Sequence, residues 1–471
     1  MLTLDGSTLE GGGQLVRVAL SLSSIYRIPV HITNIRANRS SFSSRRSTQG
    51  PSSVKHGNRR GMDNFGGTPA RGNGKAGGGL KESHLAGLNW LAEKCTAYVE
   101  GASVGETDVV FKPKRGGRSQ PLQQKSERVE EIALKNPGSV WLIWQAIWPY
   151  IVFNLQGCED HGQASRKESS NTTPGAPRFQ IILKGGTNVP KSPSTEYVQQ
   201  VFLPLSEKIG LPKVDIKVVE RGWTAGTAST VGEVEITVHH SEGERAPSKG
   251  KEPNPFSLNP FTLTERGAIT SIEMTIIAGS QETYSMLETQ LPVALHRRGA
   301  DGVLPAELPI TTHPSSTPSS GDERRLYVLL VAHTSNGYKI GRDCLGSGRK
   351  ITSDSDRRQI VAQVVGDVAR ELIAECQKEG CVDEYAEDQI VVFQALAEGR
   401  SIVDTGRKHG MGKRKGGGVD GGGEGSLHTR TVRWVCEALL GTVFDNEGGC
   451  LGKTVEAAQP DGQESLLRLQ R

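Results

Sequence analysis

One pattern constrains this chain more than any other. Once its polar stretches are set aside, the order strand, helix, strand, helix, strand, strand is written twice in succession. In the first pass, Leu2 to Leu4 reads as a short strand and Gln14 to Tyr26 as a helix with Leu15, Ala19, Leu22 and Ile25 on one stripe. Val30 to Ile35 alternates like a strand. Glu82 to Cys95 carries Leu85, Leu88, Leu91 and Cys95 at helical spacing, and Ala97 to Glu100 and Asp108 to Lys112 complete the unit as strands. In the second pass the strand Val129 to Leu134 leads to a helix over Gly138 to Phe153 and a strand over Phe179 to Leu183. A helix over Ser194 to Ile209 follows, broken or kinked at Pro204, and then strands over Val214 to Val219 and Glu233 to Val238. Two copies of such a unit predict a pseudo-symmetric α/β protein whose sheets are each covered by paired helices.

A third copy is expected at the C-terminus, with a helix over Arg357 to Cys376, a helical or extended buried segment over Ala386 to Ala397, a helix over His428 to Leu440 and a short strand near Val443. Between the second and third copies the rhythm changes to a strand at Ile269 to Ile277, a helix near Thr283 to Leu295 and a strand at Leu326 to Val331. The fold class is therefore α/β (α+β), with three βαβαββ repeats in pseudo-threefold arrangement and a smaller inserted α/β domain. The expected division is residues 1–238 for repeats one and two, 239–347 for the insert, and 348–471 for the third repeat.

Composition accounts for what lies between the elements. Only 35% of the 471 residues are hydrophobic and 58 are glycine, which suits packed segments separated by long solvated loops. Residues 40–79 read as a disordered insertion. The stretches 113–126, 157–177, 241–259, 311–322 and 407–425 read as polar or glycine-rich loops. The net charge of +4, from 56 basic and 52 acidic residues, permits a nucleic-acid partner without demanding one. Seven cysteines with no CxxC pair argue against a disulfide framework or a zinc site and for a reducing compartment. No basic-then-apolar leader opens the chain, and no apolar run reaches about 18 residues, so neither secretion nor a membrane span is expected.

Four clusters carry chemistry. Asp5 through Gln14 places Gly11, Gly12 and Gly13 between a strand and a helix, where backbone N–H groups and the helix dipole suit an anion such as phosphate. Glu10 beside them suits a hard cation. The glycines alone fit a plain tight turn equally well, and no GK[ST] follows to make a P-loop. Arg36 and Arg39 stand at a strand end, where guanidinium groups clamp phosphate or form a solvated rim, and Lys81 and His84 open the next helix. Ser426-Leu427-His428-Thr429-Arg430-Thr431 sets a capping serine before a helix. His428 then falls in the first turn, where the dipole opposes imidazolium formation and favours a nucleophilic ring; taken alone, it fits an ordinary capping-region histidine better. Asp383-Glu384-Tyr385-Ala386-Glu387-Asp388-Gln389 combines aromatic, acid and amide groups able to grip a nucleobase or orient a histidine, or else forms a solvated acidic turn.

Taken in order, these residues resemble the signatures of the RNA 3′-terminal phosphate cyclases. Leu4-Asp5-Gly6 through Gln14, with Arg17 beyond, resembles the family's opening motif. Ile35 to Arg39 is similar to its IRAxR segment, and Gly79-Leu80-Lys81 with His84-Leu85 to its resumption after an insertion. Gly185 to Asn188 with Pro190, Pro193 and Tyr197 resembles its GGT(D/N)xPxxP segment, and Glu265-Arg266-Gly267 its ERG turn. Asp383 to Gln389 resembles its DEYxxDQ box, and Ser426 to Thr429 the segment holding its histidine nucleophile. Seven ordered matches span residues 4–429.

The resemblance implies an ATP-dependent ligase-class enzyme of RNA processing. His428 would attack the α-phosphorus of ATP, expel pyrophosphate and pass AMP to an RNA 3′-terminal phosphate. The ribose 2′-OH would then close a 2′,3′-cyclic phosphodiester and release AMP. The resemblance further implies a divalent cation, Mg2+ or Mn2+, held by Glu10 with Gln145 near it. Gly11, Gly12, Gly13 and Gln14 would cradle the nucleotide. Arg17, Arg36, Arg39 and His84 would contact phosphates, Pro193, Tyr197, Tyr385 and Gln389 would surround adenine, and Asp388 would orient His428. It also implies residence in the nucleoplasm, with nucleolus or cytoplasm as alternatives; the run Lys413-Arg414-Lys415 is in keeping with this.

Two departures stand out. Ser83 occupies a position usually held by Gln, and Thr224 to Ser229 replaces a glycine triplet after Trp223. The alternative function is that of the cyclase-like factors of pre-rRNA processing and ribosome biogenesis, which are not catalytic. Those lack the glycine-rich signature and the histidine that this chain keeps.

Overall fold

The computed structural model describes residues 1–37, 78–114, 129–155, 177–226, 229–239, 257–299, 302–406 and 425–453. Arg39, nearly all of the insertion expected at 40–79, and the basic run at 413–415 lie outside them.

The first unit is β1 (Leu2–Asp5), α1 (Gly13–Tyr26), β2 (Val30–Thr33), α2 (Glu82–Cys95), β3 (Tyr98–Glu100) and β4 (Val109–Lys112). The second is β5 (Glu130–Ala133), α3 (Val140–Asn154), β6 (Pro177–Gly185), α4 (Thr195–Tyr197), a π-turn over Val198–Phe202, α5 (Leu203–Lys208), β7 (Val214–Glu220) and β8 (Gly232–His239). The kink expected at Pro204 is real in a milder form. Proline donates no N–H, and the turn before it widens to the π spacing, after which the helix continues.

After β9 (Thr262–Leu263) the chain enters a separate unit: β10 (Ile269–Ile277), α6 (Gln281–Gly299), β11 (Ile310–Thr312), β12 (Tyr327–Thr334), β13 (Lys339–Leu345) and α7 (Asp354–Cys376). It then returns through α8 (Glu384–Leu396), β14 (Arg400–Val403), α9 (Leu427–Leu440), β15 (Val443–Phe444) and β16 (Gly449–Leu451).

Three of the four sheets share one strand order: β1-β2-β4-β3, β5-β6-β8-β7 and β9-β14-β16-β15. In each, the first pair is parallel and the other two are antiparallel. The fourth sheet, β11-β10-β12-β13, belongs to the insert.

This topology corrects two expectations. The two-residue strand β9, inside the expected insert, pairs in parallel with β14 and so opens the third unit, with the insert between it and α8. The long helix at 354–376 belongs to the insert instead of the third unit. Its stripe of Ile360, Val361, Val364, Val365, Val368 and Leu372 packs on Ile272, Met274, Leu330 and Ala332 of the insert's sheet. Burial of that stripe, at roughly 1.5–3 kcal/mol per large side chain, fixes the assignment.

The main core runs continuously through all three repeated units. At its centre α3 reads Val-Trp-Leu-Ile-Trp-Gln-Ala-Ile-Trp-Pro-Tyr-Ile-Val-Phe-Asn and is apolar almost all round. A helix of that kind is stable only when other elements enclose it. It packs against α1 and α2, and α1 also meets α9. The N-termini of α1 and α2 and the start of α9 thereby reach one corner. Among the described residues, no helix is long and apolar enough to cross a membrane.

Candidate active site

The corner begins with the loop from β1 to α1. Asp5 starts it by accepting from the Ser7 N–H at 2.9 Å and the Ser7 hydroxyl at 2.7 Å. Two glycines then lie directly under functional side chains. A Cβ on Gly12 would lie 2.1 Å from Oε1 of Glu10, which folds back over it. A Cβ on Gly13 would lie 2.2 Å from Nε2 of His84 and 3.0 Å from Nη1 of Arg17. The helix N-terminus is thus crowded by Glu10, His84 and Arg17.

His84 sits in the first turn of α2, where its Nδ1 accepts the Lys81 backbone N–H at 3.1 Å. That leaves Nε2 as the protonated nitrogen, facing Gly13. Arg17, one turn into α1 and buried, donates to Oε1 of Gln14.

The start of α9 supplies the other wall. Ser426 caps it as expected, accepting the Thr429 N–H at 3.1 Å. His428 follows with its side chain 52% exposed, and its Nδ1 lies 3.6 Å from Oε2 of Glu10. This is ion-pair reach and longer than a hydrogen bond, and it turns the Nδ1 edge of the ring toward the carboxylate and Nε2 away from it. The expected partner, Asp388, makes no contact of this kind. It lies on α8, around a small cavity of about 30 Å³ lined also by Gln14, Arg17, Gln145, Gln389, Trp144 and Trp148.

Among the residues around that cavity, Oδ1 of Asp388, Oε1 of Gln145 and the indole nitrogens of Trp144 and Trp148 are buried and have no hydrogen-bond partner among the described residues. Desolvation raises the Asp388 carboxyl to about 7, against the pull of the Arg17 charge. Buried polar atoms without protein partners beside a space of this size are the kind that an ordered water satisfies. Gln389 borders it and donates to the Tyr385 carbonyl at 2.8 Å. Gln145 belongs to this cavity and makes no recorded contact with Glu10.

The expected adenine-binding aromatics divide. Tyr385 is 40% exposed, with one face covered by the Arg342 guanidinium 4.3 Å from its ring centroid and Tyr197 edge-on at 5.7 Å. Tyr197 is fully buried, and its hydroxyl donates to Asp383 at 2.5 Å, so it offers a ligand no surface. An aromatic read from sequence as a base platform is here part of the core. Pro193 is partly exposed, just before α4. Arg36 is buried, has a left-handed φ of 56°, and donates to the Gly79 carbonyl at 3.3 Å. Its guanidinium ties the first unit's strand end to the chain's return before α2.

Two residues with no role assigned from sequence prove structural to the corner. Thr431 joins the loop to α9, and Arg342 reaches Tyr385 from the insert. Both contacts are tertiary and have no local signal.

As for a divalent cation, no group of three or more His, Cys, Asp or Glu side chains gathers among the described residues. Glu10 is a single carboxylate at the glycine-rich helix start. That donor set suits a hard cation that arrives with phosphate oxygens and keeps water, and does not suit a resident protein-only site.

Comparison with known proteins bears directly on this corner. A family model described as RNA 3′-terminal phosphate cyclase matches residues 8–44 and 70–445. A curated relative from Pyrococcus abyssi, named RNA 3′-terminal phosphate cyclase, is 27% identical over 95% of this chain and 96% of its own length. One of the same name from Drosophila melanogaster is 26% identical over 94% of this chain and 92% of its own. A Dictyostelium discoideum protein named probable RNA 3′-terminal phosphate cyclase is 24% identical over 94% and 77%.

Proposed function

We propose, starting from the fact that this chain belongs to the RNA 3′-terminal phosphate cyclase family, that it closes an RNA 3′-terminal phosphate into a 2′,3′-cyclic phosphodiester at the expense of ATP, through an adenylylated His428. The observation that carries the mechanism is the meeting of His428 with Glu10 at the glycine-rich start of α1.

The chemistry follows from that arrangement. Glu10 stands on the Nδ1 edge of His428, so Nε2 faces the open side and is the nitrogen available for attack. Nε2 attacks the α-phosphorus of ATP, a P–N bond forms, and the P–O bond to pyrophosphate breaks. The RNA 3′-phosphate oxygen then takes the AMP and frees the imidazole. The neighbouring 2′-OH attacks the activated phosphate and expels AMP. Arg17, the Nε2–H of His84 and the N–H groups at the start of α1 are the donors that hold the phosphates. A divalent cation bound by Glu10 would neutralise the triphosphate. Tyr385 and Gln389 border the place for the base. A nuclear location accompanies this reading, and fluorescent tagging tests it.

The test is incubation with α-labelled ATP and Mg2+ or Mn2+, followed by a search for an acid-labile, alkali-stable protein–AMP adduct. The wild type should form it. His428→Asn should form none and should fail to cyclise 3′-phosphorylated RNA, yet should still cyclise RNA already adenylated at that phosphate. Near wild-type cyclisation of 3′-phosphorylated RNA by the variant would end the covalent mechanism. No adduct and no cyclisation by the wild type would favour the non-catalytic alternative.

A further inference from the structure

The loop that carries Glu10 and the helix that carries His428 are far apart in the sequence, and one hydroxyl bridges them. Thr431 is fully buried in α9, one turn after His428. Its Oγ1 donates to the Leu427 carbonyl at 2.7 Å, the back-bond that threonine makes within a helix. This fixes the rotamer and leaves the oxygen's lone pair directed outward. There it accepts the backbone N–H of Glu10 at 3.2 Å, across 421 residues of sequence.

The relay therefore runs from the Glu10 N–H through Thr431 to the carbonyl of Leu427, the residue before His428. The backbone on both sides needs this support. Leu9 has a φ of 53°, a left-handed conformation that costs a leucine on the order of 1 kcal/mol, and Gly11 at 57° is left-handed as well. A loop with such torsions keeps its shape only when its surroundings over-determine it. Leu427 sits in the first helical turn, where the backbone is held mainly by the Ser426 cap.

We infer that Thr431 is a positioning residue for histidine adenylylation. It sets the distance between the nucleophile's helix and the loop presenting Glu10 and the phosphates, and it touches no reacting atom. The inference rests on the reading of His428 as the nucleophile. A displacement of about 1 Å between a nucleophile and its target costs on the order of 10²-fold in rate. Arg17 and His84, which hold phosphate in this reading, sit on α1 and α2, so ATP binding is expected to depend less on the hydroxyl than the adduct rate does.

Thr431→Val keeps the shape and removes the relay, and Thr431→Ser restores the hydroxyl. Three readouts decide the matter: the rate of adduct formation with α-labelled ATP, the KM for ATP, and the rate of cyclisation of RNA already adenylated at its 3′-phosphate. The valine variant should lose at least 10-fold in the adduct rate at saturating ATP. Its KM should change by less than about 3-fold, its use of pre-adenylated RNA should stay near wild type, and serine should recover most of the loss. An adduct rate within 2-fold of wild type overturns the inference. So does an equal fall in adduct formation and in cyclisation of pre-adenylated RNA, since that is the pattern of a merely damaged fold. Absence of any adduct in the wild type would instead strike the functional reading, and is seen before any variant is made.

Discussion

Two aspartates on one helix receive opposite treatment. Asp383 caps α8, and its carboxylate is saturated: Oδ1 accepts the N–H groups of Tyr385 and Ala386 at 3.0 Å and the Tyr197 hydroxyl at 2.5 Å, and Oδ2 accepts the Gly341 N–H from the insert at 2.9 Å. Asp388, little more than one turn later, lines the cavity with one oxygen unpartnered. Burial raises both carboxyls, but around Asp383 the donors and the Arg342 charge answer it. At the seam between body and insert the Asp383 carboxylate is fully engaged, although Nη1 of Arg342 beside it has no partner among the described residues, while at the corner the carboxylate itself is left partly unengaged. The saturated carboxylate is tied into the architecture, and the unsaturated one is left with hydrogen-bonding capacity to spare.

The largest effect should come from the saturated partner. Asp383→Ala removes a helix cap and strands the Tyr197 hydroxyl and the Gly341 N–H, which should cost about 4 kcal/mol of stability. Urea denaturation followed by tryptophan fluorescence measures it, and a loss below about 1 kcal/mol would erase the contrast. Next is Glu10→Ala. It should lower adduct formation about 10²-fold or more, the several kcal/mol that a charge at a phosphate site supplies, and leave the melting temperature nearly unchanged because Glu10 lies on a loop. Wild-type adduct yield in that variant would remove Glu10 from the site.

The smallest effect concerns Asp388 itself. Its folded carboxyl titrates near 7 and the ordinary value is 3.8. Below about pH 4 both the folded and the unfolded chain carry the proton. As pH rises, the unfolded chain ionises first, so the stability associated with the protonated side chain is lost between about pH 4 and 7. Asp388→Asn escapes that loss. Its melting temperature should match wild type near pH 4 and rise above it toward pH 7, a gain of about 2 kcal/mol after allowance for the solvent that reaches the cavity. A gain independent of pH would mean that the carboxyl is not desolvated.

Much of this was legible in the residues. The helix over 82–95 was read to the residue, because its apolar stripe and its flanks agree. Ser426 announced its helix, and the glycine run announced a loop at a helix start, since capping and steric demands are local. What failed was relational. Two residues of β9 cannot declare that they pair with β14, and the stripe on the 354–376 helix says that it packs without saying on which sheet. The partner of His428 was expected on α8 and lies instead on the first loop of the chain. Tyr197 and Tyr385 look alike in sequence, and only Asp383 and Arg342 decide which becomes core and which keeps an open face.

The insert's place between β9 and α8 has a kinetic consequence. The third sheet closes by joining segments far apart in the chain; Phe261 donates to the Ser401 hydroxyl across 140 residues. Closing so long a loop in an unfolded chain is slow and entropically costly. Once the insert has folded, its two ends are already pinned together by Arg266 on the Cys376 carbonyl, and Tyr338 on the Thr264 carbonyl secures its entry. The effective loop then shrinks to residues 262–265 and 377–400, outside that pin. The insert thereby acts as an internal splint for the third sheet.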